Sequence, residues 1–175
     1  MKLGIMQPYL FPYIGYYQLI KIVDTFVIYD NIQYIKGGWV NRNRLILNGK
    51  VQMFTVPLAN ASNYLDIKDR YISNDSNGKK TINKIISQIE NSYRKYPYFN
   101  NVFPLVEKTL TYKNNNLFDF LYFSIQNILN YLGIQTTIKI SSDLDIDHSL
   151  KHQDRVISIC NNMKSKTYIN SIGGL

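Results

Sequence analysis

Cysteine is almost absent. A single residue, Cys160, among 175 excludes an internal disulfide framework and any multi-cysteine zinc site. It falls on an apolar helical stripe with Val156 and Ile159, which suits a core thiol better than a nucleophile. Histidine is nearly as scarce. His148 and His152 stand at i, i+4, a spacing that could present two metal ligands on a helix, but His148 falls ahead of the expected helix and no carboxylate-rich companion motif is present. Asp143, Asp145 and Asp147 alternate like a calcium loop but lack its central glycine and downstream glutamate. No metal site is therefore expected. Apolar runs all fall short of the roughly 20 residues that cross a bilayer, so no membrane insertion is expected. Met1 leads straight into a short alternating segment with no basic n-region or cleavage site, so the expectation is a cytoplasmic protein without a secretory signal. Neither a phosphate-binding lysine loop nor G-x-G-x-x-G, G-x-S-x-G or H-E-x-x-H occurs.

Acidic residues are also few: 12 against 20 Lys and Arg, giving a net charge of +8 and a pI near 9.4. That balance favours an anionic partner such as phosphate, nucleotide, nucleic acid or an anionic membrane surface, or simply makes a soluble basic surface. The cations are dispersed, the nearest cluster being Lys36, Arg42, Arg44 and Lys50. Aromatic side chains are not interleaved with Arg and Lys as an RNA-binding sheet requires, so a nucleic-acid partner is not expected.

What is present is enough for a core. Hydrophobic residues make up 45% and aromatics 14%, which excludes a disordered chain, and the length suits one domain over 1–175. Lys2 to Met6 reads as a strand, Tyr13 to Val23 as a helix and Thr25 to Tyr29 as a buried strand, together the size of one βαβ unit. Asn48-Gly49 between two alternating runs predicts a hairpin, an insertion over about 44–57. A further short strand is expected near Asp69 to Ile72. A helical segment over about 78–132 follows, with one helix ending at Tyr93, another over Leu105 to Leu110 after interruption by Pro97 and Pro104, and a third ending at Leu132 with Gly133 as C-cap. Thr136 to Ile140, Ser149 to Asn162 and Lys166 to Ile169 close the chain as strand, helix, strand. The expected fold is α/β: a Rossmann-like open, mainly parallel sheet with an inserted β-hairpin and a helical middle segment.

Two loops could carry chemistry. The first, Gln7-Pro8-Tyr9 through Tyr13, Gly15 and Tyr16, lies where a first strand gives way to a first helix, the usual ligand crevice of an open α/β sheet. The same aromatics would equally serve as core, and the prolines as loop stiffeners. The second loop runs from Asp30 to Arg44. Arg42 and Lys36 could bind phosphate, one as a two-pronged fork and the other as a point charge. Asp30 could act as a base or hold a hydroxyl, a metal ion or an amine. Gln33, Asn41 and Asn43 could read polar edges of a sugar or base, with Trp39 in the same loop. A solvated polar loop capping the hairpin is the alternative.

The stretches Met6 to Tyr16, Val23 to Asp30, Gln33 to Lys36 and Trp39 to Arg44, with Arg155 to Cys160, Tyr168-Ile169 and Gly173-Gly174, resemble the WbqC-like protein family. Members typically occur in gene clusters for O-antigen and other surface polysaccharides, so the resemblance implies a role in making or modifying a cell-surface sugar. Family members usually continue past the Gly-Gly pair, so the chain looks C-terminally shortened. A more distant similarity is to the opening of HIGH-type nucleotidyltransferases. There an H-x-G-H loop holds nucleotide phosphates. Tyr13-Ile14-Gly15-Tyr16 stands at that place, with the glycine kept and both histidines replaced by neutral tyrosines.

These readings lead to one expectation: group transfer by an acyl-, aminoacyl- or nucleotidyl-type transferase, on a nucleotide-linked sugar or a nucleotide-activated acyl substrate. A nucleotide (ATP or nucleotide-sugar) would be bound. Arg42, Lys36 and Asp30 would carry the chemistry. Gln7, Pro8, Tyr9, Tyr13, Gly15, Tyr16, Gln33, Trp39, Asn41 and Asn43 would line the pocket. The competing reading is a non-catalytic basic module that holds an anionic glycan or a partner enzyme. Oligomeric state is left open.

Overall fold

The computed structural model describes residues 1–171. Two compact units divide the chain. The sheet unit gathers residues 1–8, 12–32 and 129 onward, and the hairpin–helix unit gathers 9–11 and 33–128.

The sheet unit is built on four strands: β1 (Lys2–Met6), β2 (Thr25–Ile28), β5 (Thr137–Ile140) and β6 (Thr167–Ile169). All pair in parallel, in the order β5-β2-β1-β6. Leu3 stands opposite Thr25 and Ile5 opposite Val27. Both inner strands are apolar on both faces, as a sheet with helices on both sides requires. Alternation sends Leu3, Ile5 and Val27 to one face, where Val156, Ile159 and Cys160 of α5 (His152–Asn162) cover them. Gly4 and Phe26 turn to the other face, toward Leu19 and Tyr16 of α1 (Ile14–Ile22). Each large side chain fully buried in this way contributes about 1.5–3 kcal/mol. A Cβ at Gly4 would come within 2.9 Å of the Phe26 ring, so glycine lets the ring lie flat against the strand.

The hairpin–helix unit contains β3 (Arg42–Leu47) and β4 (Lys50–Thr55), an antiparallel pair joined at Asn48-Gly49 with φ of +51° and +74°. Two successive positive φ values are what a two-residue hairpin with right-handed twist demands. α2 (Ser76–Tyr93) packs on β3 and on α3 (Phe99–Leu110), and α4 (Leu117–Tyr131) leads back to the sheet unit. Asn116 caps α4 by accepting from the Asp119 N–H at 3.1 Å. Gly133, at φ +65°, ends it, with the Ile134 N–H donating back to the Leu129 carbonyl.

The α/β class, the parallel sheet, the separate hairpin and the helical middle match the expectation. Three local readings change. α3 starts at Phe99 and contains Pro104, because burial of its apolar face against α2 outweighs one lost hydrogen bond. The expected strand at Asp69 to Ile72 is a 3-10 turn at Ile67–Asp69 followed by isolated bridges from Tyr71 to Asn116 and Ile72 to Leu58. α5 starts three residues late, because the Asp147 carboxylate bonds the Ser149 N–H and hydroxyl and closes a turn there. Among the described residues no helix is long and apolar enough to cross a membrane.

Candidate functional site

The expected site residues fall in both units. In the sheet unit, Gln7 and Pro8 follow β1, and Tyr13 is the residue before α1. Tyr13 is 79% exposed, whereas Tyr16 is 4% exposed, packs edge-on against Phe26 and donates its hydroxyl to the Gln7 carbonyl at 3.1 Å. Gly15 sits under Tyr13, where a Cβ would meet the ring at 2.4 Å.

Asp30, just past β2, is 1% exposed. One carboxylate oxygen accepts the Ser142 N–H at 2.9 Å, and the other accepts the Ser142 hydroxyl at 2.6 Å. Asn31 next to it accepts from the Ser141 hydroxyl and meets His148 Nδ1 at 3.0 Å. His148 Nε2 faces the Leu144 carbonyl at 3.0 Å, so the proton belongs on Nε2, and Nδ1 accepts from Asn31 and Arg155. Arg155 is buried, donates to the His148 carbonyl and lies over the Tyr29 ring. This network ties the ends of β2 and β5 to the turn before α5. His148 thus works as a structural acceptor, and among the described residues no group of three metal-ligating side chains gathers. Burial pushes the Cys160 thiol above its usual range and keeps it protonated.

In the hairpin–helix unit, Lys36 and Arg42 come together. They line a pocket of about 450 Å³ with Arg70, Tyr34, Asn41 and the 55–61 segment. No carboxylate lines it. Arg70 is 6% exposed. Its Nη1 donates to the Ala61 and Ser62 carbonyls at 3.3 and 2.8 Å, and its guanidinium lies 4.9 Å from the Tyr34 ring centroid. The buried Nε atoms of Arg42 and Arg70 have no hydrogen-bond partner. Such donors are costly to leave unmet in a protein interior. Gly37, at φ +82°, brings its backbone beside the Arg42 guanidinium. Burial raises the Tyr34 phenol; the Arg70 and Arg42 charges and the Asn41 hydrogen bond oppose this only in part, so the hydroxyl stays neutral.

Other expected residues shape this region. The Asn41 amide donates to the Val56 carbonyl at 2.7 Å and accepts the Tyr34 hydroxyl at 2.8 Å. Asn43 donates to the Leu10 and Phe11 carbonyls at 3.0 and 2.6 Å and holds the segment that carries Tyr9. Gln33 donates to the Asn63 carbonyl at 3.0 Å. The Trp39 ring receives the Arg42 and Arg44 guanidiniums at 5.5 and 4.6 Å from its centroid. Burial raises the Tyr9 phenol as well. Arg70 and Tyr34 escaped the sequence reading. Tyr34 lies inside the flagged loop, but an isolated arginine in the 66–72 stretch carries no local signal.

The model of the WbqC-like protein family matches residues 7–175, nearly the whole chain. The chain belongs to the WbqC-like family. Its Gly173-Gly174 pair, part of the sequence resemblance, lies outside the described residues. This WbqC-like chain is also 46% identical over 57 residues to Uncharacterized protein Rv1507c of Mycobacterium tuberculosis, a match covering 33% of the chain. It spans 25% of that relative's length. No solved structure gives a significant match to the WbqC-like chain.

Proposed function

We propose that this WbqC-like protein is an enzyme of O-antigen or other surface-polysaccharide biosynthesis. It transfers a group to or from a nucleotide-linked sugar or nucleotide-activated acyl substrate, whose phosphates sit among Lys36, Arg42 and Arg70. The supporting observation is the pocket itself: three cations and no lining carboxylate. Arg42 supplies a planar fork, Lys36 a mobile point charge, and Arg70 a charge already fixed by two backbone carbonyls. Positive charge held in place stabilises a phosphate-bound transition state with little reorganisation, the main demand of such transfers. Asp30, with both oxygens engaged by Ser142, serves here as an organiser of the sheet's end rather than as the base.

A second reading has support in the same pocket. Its lining holds no carboxylate, histidine or cysteine that could serve as a general base. A binding module that holds a phosphorylated sugar or anionic glycan without turning it over would need none. Calorimetry with ATP, CTP, UDP-sugars and dTDP-sugars tests the shared claim. One nucleotide class should bind, and Arg42→Ala should weaken it about tenfold to a hundredfold, the loss expected for a charge-assisted hydrogen bond. Failure of every nucleotide to bind the folded protein would refute the phosphate pocket. Turnover of the bound compound separates enzyme from binding module.

A further inference from the structure

A second pocket in the hairpin–helix unit has the opposite character. It is about 310 Å³ in volume, opens to solvent and is lined by β3, β4, α2, α3 and the turn before α3, with Phe54, Ile89, Phe99, Phe103 and Val106 in its wall. That is the size and apolar lining of a small-ligand site, which ordinarily adds a few polar groups to fix orientation. Arg44 is the one charged side chain of the lining.

The backbone at this pocket is strained in two places. Phe11, at φ +47°, and Tyr98, at φ +63°, both line it, and both are bulky residues in the left-handed region that favours glycine. Asn43 holds the Phe11 carbonyl in place. The Tyr98 ring is 75% exposed, so burial does not account for its strained position. Strain of this kind persists where neighbouring structure enforces it, and it gathers at ligand clamps.

We propose that this pocket binds the hydrocarbon part of an amphipathic anion, with its carboxylate or phosphate head on Arg44. Charge complementarity sets the head: a neutral or cationic end would leave the only lining charge unmet or repelled. Arg44 and Arg42 both lie over Trp39, and Arg42 lines the proposed phosphate pocket. The inference does not depend on nucleotide binding, and its test uses none.

The test is calorimetry of the full chain with decanoate, decyl phosphate and decanol. At least one of the two anions should bind at one site, about tenfold or more tighter than decanol, and which of them binds identifies the head. Arg44→Gln should weaken that anion about tenfold and leave decanol unchanged. Val102→Trp, which fills the pocket from a half-exposed position on α3, should abolish binding of both. Tyr98→Gly should raise the melting temperature by about 2–4 °C through relief of strain, and weaken the anion by removing the clamp. Absence of anion binding by the folded chain, decanol binding as well as the anions, or affinity unchanged in Arg44→Gln would each overturn the proposal.

Discussion

Both oxygens of the Asp30 carboxylate accept hydrogen bonds from one residue, Ser142, and the residue is only 1% exposed. An amide here could still accept the Ser142 N–H and donate to the Ser142 hydroxyl oxygen, but two charge-assisted hydrogen bonds would become neutral ones. Asp30→Asn should therefore lower unfolding stability by about 1–3 kcal/mol, read by urea denaturation, while nucleotide affinity of the folded fraction stays unchanged. Residue types alone did not separate the two uses of a polar side chain. Lys36 and Arg42 stood out because one short loop holds both, at a density above that of the dispersed charge, and the fold brings both into one pocket. Asn41 and Asn43 had the same appearance, yet their amides bond backbone carbonyls of Val56, Leu10 and Phe11. Arg70 reaches the pocket through tertiary folding, and a linear reading has no access to that.

Elements set by local rules were the most legible. Asn48-Gly49 and Gly133 each need a positive φ that few residues adopt, so their sequences announced a turn and a helix end. Pro104 followed the usual expectation of a break until packing on α2 overrode it. At the start of α2, the Asp75 carboxylate accepts the Gly78 N–H at 2.6 Å, and a Cβ at Gly78 would fall 2.3 Å from the Ser73 carbonyl oxygen. This backbone hydrogen bond from Gly78, then the Ser73 hydroxyl, hold the Asp75 carboxyl below its usual 3.8. A depressed carboxyl stabilises the fold fully above its unfolded value and loses that contribution as pH falls through the folded one. Asp75→Ala should melt lower than the unmodified chain at neutral pH, and the gap should narrow below about pH 4. Asp75→Asn should keep most of the cap and lose this acid dependence. Thermal melts across about pH 2 to pH 6 check both.

At the scale of the whole molecule, the sequence showed strands at both ends and helices between, which is the connectivity of an open parallel sheet. It did not show that the chain divides into two compact units, or that residues 9–11 join the second one, because that grouping depends on long-range contacts. The sheet unit draws β1 and β2 from the first segments and β5, α5 and β6 from the last. Removing residues from 137 onward would strip Ile159, Val156 and Cys160 from the face formed by Leu3, Ile5 and Val27. Such a chain should bind anilinonaphthalene sulfonate strongly, and its β1 and β2 amides should exchange with solvent at nearly unfolded rates in hydrogen-exchange mass spectrometry.

The strand order β5-β2-β1-β6 also sets a timetable. Synthesis runs from the N-terminus, so the ribosome releases the two inner strands first and both outer strands after the entire hairpin–helix unit. Asp30 waits 112 residues for Ser142. At about 5–20 residues per second, that interval lasts roughly six to twenty seconds, during which a β1–β2 pair has two open edges and an uncovered apolar face. Until residues 137–169 are made, the chain itself offers no cover for that face, so slowing translation through residues 33–136 should lower the soluble fraction, read by sedimentation after expression.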